Sequence, residues 1–117
     1  MNNIPENINL VLQKFINGVQ EILGENLEKI ILYGSYARGD YNASSDIDIM
    51  ILTNLDNEEL EEYKTKIWDY SYDIEEENNF EIKLSPLIKN INYYEERVNV
   101  VPFFRNVQRE GVALING

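Results

Sequence analysis

The 117-residue chain contains neither cysteine nor histidine. Without cysteine there is no disulfide framework, and the redox compartment is left open. Without either residue, the ligands that zinc and most transition metals prefer are missing. Nucleophilic schemes built on Cys or His are excluded as well. Basic residues are scarce: 10 Lys and Arg stand against 21 Asp and Glu, a formal net charge of −11. Nonspecific nucleic-acid binding rests on clustered Lys and Arg that release counterions, so a nucleic acid gripped by this chain alone is not expected. The acid excess is consistent with a solvated surface, or with steering toward a basic protein partner. No apolar run approaches the ~20 residues that cross a membrane. The opening Met1-Asn2-Asn3-Ile4-Pro5 lacks the basic and apolar regions of a signal peptide, so the expected location is cytoplasmic.

What is present argues for a folded protein. Hydrophobic residues make up 44% of the chain, with eight Tyr, four Phe and Trp68 among them, enough to build one core and one domain over residues 1–117. Ile8, Val11, Leu12, Phe15, Val19, Ile22 and Leu23 recur at helical spacing and predict a helix over 6–23, with Pro5 in its first turn and Gly24 as its cap. The near-continuous apolar run 29–33 predicts a central strand, and 45–52 a second one. Asp56 followed by Glu59 forms a capping-box pattern for a helix reaching about Ile74, with Leu60, Tyr63, Ile67, Trp68 and Tyr70 inward. A polar connector, 75–79, precedes Phe80–Ser85, whose alternation predicts a half-buried third strand with Pro86 near its end. Asn90 or Asn92 caps a short helix through Val98. Pro102 and Gly111 bracket a last helix, 102–110. The order α-β-β-α-β-α-α implies a mixed α/β (α+β) fold, a small sheet covered by helices.

The first two strands carry the chemistry. The stretch between them reads Leu32-Tyr33-Gly34-Ser35-Tyr36-Ala37-Arg38-Gly39-Asp40, and ten residues separate the Gly-Ser pair from Asp46-Ile47-Asp48. Side chains alternate along a strand, so Asp46 and Asp48 share a face about 7 Å apart, opposite Ile47, Ile49 and Ile51. Two carboxylates there repel each other and resist desolvation, which is tolerable mainly if a cation sits between them. Hard oxygen ligands suit Mg²⁺, which binds one or two carboxylates plus substrate phosphates. Gly34 allows a positive φ or a close backbone approach, and Ser35 offers a hydroxyl and an N–H to an anion. Arg38 could neutralise a triphosphate, or form a surface salt bridge to Asp40 or Asp46. Ser44 and Ser45 could bond phosphate or close the loop. Lys83 could reach a phosphate or pair with Glu81.

Gly34-Ser35, ten residues, then Asp46-x-Asp48 resembles the signature of the polymerase-β-type nucleotidyltransferase superfamily. The form GSYARGD…SDIDIMI is similar to its minimal nucleotidyltransferase (MNT) branch, whose members often act as antitoxins paired with HEPN-type toxins. The motif covers about residues 28–53. The resemblance implies a polymerase-β-like nucleotidyltransferase core, two Mg²⁺ ions held by Asp46 and Asp48, and ATP phosphates held by Gly34, Ser35, Arg38 and Ser45. It also implies a third carboxylate on a later strand that completes the metal site and takes the acceptor's proton. Glu81 is the candidate there, with Asp73 or Glu77 as alternatives, or none at all. The implied reaction moves AMP from ATP to a hydroxyl. The chain is too short for an acceptor domain, so a partner protein is expected, by resemblance a tyrosine of a HEPN-type toxin. A stand-alone transferase for an aminoglycoside-like small molecule and a binding-only antitoxin remain open.

Overall fold

A computed structural model of the protein describes residues 4–116. The first helix, α1 (Glu6–Leu23), follows Pro5 and buries Ile8, Val11, Leu12, Phe15, Ile16 and Val19 along one stripe. Gly24 ends it at φ 54, and a single 3-10 turn leads into β1 (Leu27–Tyr33). One helical turn, α2 (Ser35–Arg38), and a loop separate β1 from β2 (Ile47–Thr53). Then come α3 (Asn57–Glu77), β3 (Leu84–Asn90), α4 (Ile91–Arg97), α5 (Pro102–Glu110) and β4 (Val112–Asn116).

Among the described residues the four strands form one mixed sheet in the order β3-β2-β1-β4. The β1–β2 and β1–β4 pairs are antiparallel, and β2–β3 is parallel. A parallel pair needs a long crossover, and α3 supplies it. Helices cover both faces. Ile47, Ile49 and Ile51 of β2 join Ile30 and Leu32 of β1 in a core shared with Leu12 and Phe15 of α1 and Ile67 and Ile74 of α3. Ile31, Met50 and Leu52 face the other way, into a smaller core with Tyr94, Val98, Phe104 and Val107. Burial on both faces explains why β2 reads as a nearly unbroken apolar run.

Specific contacts fix α1 against α3. The Tyr70 hydroxyl donates to the Lys14 carbonyl at 2.8 Å, and Lys14 pairs with Glu77. The Tyr70 ring occupies the space left by Gly18, where a Cβ would lie 2.1 Å from ring atoms. At the start of α3 the Asp56 carboxylate accepts from the Glu59 N–H, and the Glu59 carboxylate accepts from the Asp56 N–H. Asn90, rather than Asn92, caps α4 by accepting from the Tyr93 N–H.

Several elements differ from the sequence expectation. The third strand occupies Leu84–Asn90, not Phe80–Ser85. α3 runs on to Glu77, and Asn79 and Phe80 then take left-handed conformations at φ 57 and 58, which no strand can contain. Pro86 lies inside β3, tolerated because β3 is an edge strand. The second strand starts at Ile47, so Asp46 precedes it. Trp68 is 51% exposed rather than inward, with Lys64 Nζ 5.0 Å above its ring. β4 has no counterpart in the expected order; it forms because β1 offers a free edge to the short run after Gly111. No helix among the described residues is long and apolar enough to cross a membrane.

Asp56→Ala removes one half of the capping box and is expected to lower folding stability by about 1 kcal/mol, read as a shifted urea midpoint with an unchanged slope.

Candidate active site

The site forms where β1 and β2 end together. Tyr33 and Asp48 are directly paired in the ladder, which puts both side chains on the face covered by α5. Immediately after Tyr33 the chain turns at Gly34, with φ 76 and ψ −156, a region that is essentially glycine-only. Gly34 has a second reason to be glycine. A Cβ there would lie 2.1 Å from Asp48 Oδ2 and 3.0 Å from its Cγ. The carboxylate of Asp48 therefore packs directly against the backbone of the turn.

Asp46 and Asp48 open into one cleft of about 410 Å³, together with Tyr33, Gly34, Ser35 and Arg38. The opposite wall is α5, contributing Phe103, Asn106, Val107 and Glu110. Asp46 is exposed and Asp48 half-buried. Burial pushes the Asp48 carboxyl above its ordinary range; the charges of Asp46 and Glu110 add to that, while Arg38 opposes it. Burial, with the nearby Asp48 charge, also pushes the Tyr33 hydroxyl up to about 12, so it stays neutral. Its ring meets Phe103 edge-on at 5.6 Å.

The cation of the cleft is already engaged. Arg38 Nε donates to Asp40 Oδ2 at 3.2 Å, and Nη1 donates to Glu110 Oε1 at 3.1 Å and Oε2 at 3.3 Å. The expected bridge to Asp40 is present, while that to Asp46 is not among the salt bridges of the described residues. Glu110 Oε1 also accepts the Gly34 N–H at 3.2 Å. The sequence reading missed Glu110. A signal existed: Phe103, Val107 and Glu110 recur at helical spacing, so the acid falls on the same side of α5 as those two apolar residues.

Two sequence-predicted residues lie elsewhere. Glu81 sits on the connector before β3, exposed, and lines a separate depression with Ser45, Tyr41 and Ile82. The strand that was to carry it starts three residues later, and β3 itself holds no acidic residue. The β3 residue paired with Asp48 is Ser85. Ser45 closes its loop, with its hydroxyl accepting the Asn42 N–H at 2.9 Å and its N–H donating to the Asn42 carbonyl at 3.1 Å.

The donor set fits magnesium. Both aspartates offer hard oxygens into one cleft, and their mutual repulsion shows in Asp48. Among the described residues no group of three or more acids could enclose a metal alone. Water and phosphate oxygens would complete the shell, as Mg²⁺ sites commonly require.

A strand, a Gly-Ser turn and an Asp-x-Asp pair at the start of the next strand define a domain built to transfer nucleotidyl groups. The sequence model of the nucleotidyltransferase domain family matches residues 12–109, and the chain belongs to that family. A relative from Methanocaldococcus jannaschii named "putative protein adenylyltransferase" is 30% identical over 103 residues, 88% of this chain and 93% of that protein. A second protein of that description and organism is 45% identical over 42 residues, 36% of this chain and 42% of that protein. Among solved structures, a mutant of the MntA-HpeT toxin-antitoxin aligns with TM-score 0.51 at 18% identity, covering 87% of this chain and 71% of that one. A toxin-antitoxin with AMP-PNP aligns with TM-score 0.50 at 20% identity, covering 89% and 73%. These two likenesses confirm the fold, and the family makes the protein a nucleotidyltransferase.

Gly34→Ala adds a Cβ that meets Asp48 and forces the turn out of a glycine-only conformation. The expected loss is about 1–3 kcal/mol of stability, seen as a lower melting midpoint. The ionisation of Asp48 predicts the opposite sign for its own replacement. An acid whose folded pKa is raised contributes full stability only below its unfolded value, about 3.9 for aspartate. That contribution is lost as pH rises through the folded value. Asp48→Asn does not ionise, so without divalent metal it is expected to melt higher than the wild type at pH 7. The gap should close below pH 4.

Proposed function

We propose that the protein transfers AMP from ATP to a hydroxyl of a partner protein, with Mg²⁺. The observation that carries this reading is the convergence of Asp46, Asp48, Ser35 and Arg38 on one cleft at the end of two paired strands. The relatives named as protein adenylyltransferases support a protein acceptor. The toxin-antitoxin assemblies that share the fold support a toxin as that partner; the resemblance of the Gly34-Ser35 and Asp46-x-Asp48 motif to the MNT branch points to a HEPN-type toxin with a tyrosine as the acceptor.

In the reaction, the acceptor oxygen attacks the α-phosphorus of ATP. The bond to the oxygen bridging the α- and β-phosphates breaks, and pyrophosphate leaves with that electron pair. The hydroxyl proton passes to solvent or to pyrophosphate. Asp46 and Asp48 are the residues that would hold magnesium, which supplies charge neutralisation to the phosphates. Ser35 and Arg38 hold the β- and γ-phosphates, so that the α-phosphate faces the open side of the cleft. Tyr33 and Phe103 form an apolar wall that limits water. The protein's work is positioning and charge stabilisation, with no covalent intermediate. Glu81 is left out of this scheme because it opens onto the other depression.

Calorimetric titration tests the metal role. ATP is expected to bind with Mg²⁺ and not without it, and Asp46→Asn with Asp48→Asn is expected to abolish the difference. Labelled ATP tests the acceptor: label should appear on a co-expressed partner's tyrosine. Label found only on aminoglycosides would overturn the protein acceptor, and ATP binding without any transfer would favour an antitoxin that acts by binding alone.

A further inference from the structure

The proposed transfer leaves Glu110 unused, yet its carboxylate makes three hydrogen bonds in the cleft. It accepts the Gly34 N–H and, on both oxygens, Arg38 Nη1. Three separate segments meet on this one side chain: the end of α5, the Gly-Ser turn and α2. Among the described residues Arg38 is otherwise held through Nε, by Asp40, and its side chain is 46% exposed. Without Glu110, a long and rotamer-rich side chain would sweep the cleft mouth. Bound at Nε and Nη1, its planar fork is fixed while Nη2 stays outside these bonds.

A carboxylate on phosphate-binding groups could instead be a competitor that a triphosphate must displace. The placement of Glu110 argues against that. It sits on the last turn of a helix whose Phe104 and Val107 are buried in the core of that face. The side chain is itself only 21% exposed. A gate needs a segment free to move, and α5 is packed in place.

We propose that Glu110 is a positioning residue that orients Arg38 for the triphosphate. This rests on the nucleotidyltransferase reading of the cleft. Acting through Arg38, it should matter only while Arg38 is present.

The test is binding of Mg·AMP-PNP to the full chain, measured calorimetrically for the wild type, Glu110→Ala, Glu110→Gln, Arg38→Ala and the double variant Arg38→Ala/Glu110→Ala. Glu110→Ala is expected to weaken binding about tenfold, the scale of one charge-assisted contact. Glu110→Gln keeps one acceptor oxygen for Arg38 Nη1 and loses the charge, so it should fall between wild type and Glu110→Ala. The double variant should bind no more weakly than Arg38→Ala alone, since coupled groups are non-additive. A purely structural role would instead lower the melting midpoint and leave the losses additive, which would overturn the proposal. Unchanged or tighter binding by Glu110→Ala and Glu110→Gln would overturn it too, and tighter binding would make Glu110 a competitor. If Glu110→Ala does not fold, Glu110→Gln and its combination with Arg38→Ala carry the same comparison. A wild type that fails to bind Mg·AMP-PNP overturns the nucleotide reading and this proposal together. A wild type that binds while both Glu110 variants match it overturns this proposal alone.

Discussion

The carboxylate of Asp48 fills the space where Gly34 has no side chain, and the geometry of the site depends on that contact. It sets how close the Gly-Ser turn can lie to the Asp48 oxygens. It exists only because the ladder pairs Asp48 with Tyr33. The ladder in turn is held in register by Ile47, Ile49 and Ile51, all fully buried on the opposite face. A slip of one residue would exchange the two faces and carry Asp48 into the core under α1 and α3. The core side chains therefore decide where the Asp48 carboxylate points.

The cleft gathers negative charge against the interest of folding. Asp46, Asp48 and Glu110 face a single Arg38 among its lining residues. Burial and like charge both raise the Asp48 carboxyl, so its ionised form works against the folded state. The remainder of the fold offsets this cost with ordinary means. Two cores enclose β2 on both faces, and the long α3 starts with a complete capping box.

Where local physics decided the outcome, the sequence was legible. The helical stripe of α1, the Asp56–Glu59 box and the Pro102–Gly111 bracket each depend on neighbours within a few residues, and each lies where its pattern places it. The Gly-Ser turn and the Asp-x-Asp pair were legible for the same reason. The failures are non-local. Phe80–Ser85 alternates like a strand, but the left-handed Asn79 and Phe80 and the pairing of β2 with Leu84–Asn90 override it. Trp68 continues an apolar pattern, but the sheet beneath α3 is covered without it. Glu110 lies 76 residues from the Gly34 amide it binds, a separation that no local window spans.

The outer strand of the sheet has a separate consequence. β3 lies at one edge, seven residues long and parallel to its only neighbour. An exposed edge of that length is a template on which a second chain could add a strand. Pro86, in its middle, puts a ring where an amide would stand and leaves the strand one donor short. A strand added along this edge would meet a break in its hydrogen-bond ladder at Pro86, the kind of interruption that discourages stacking of copies.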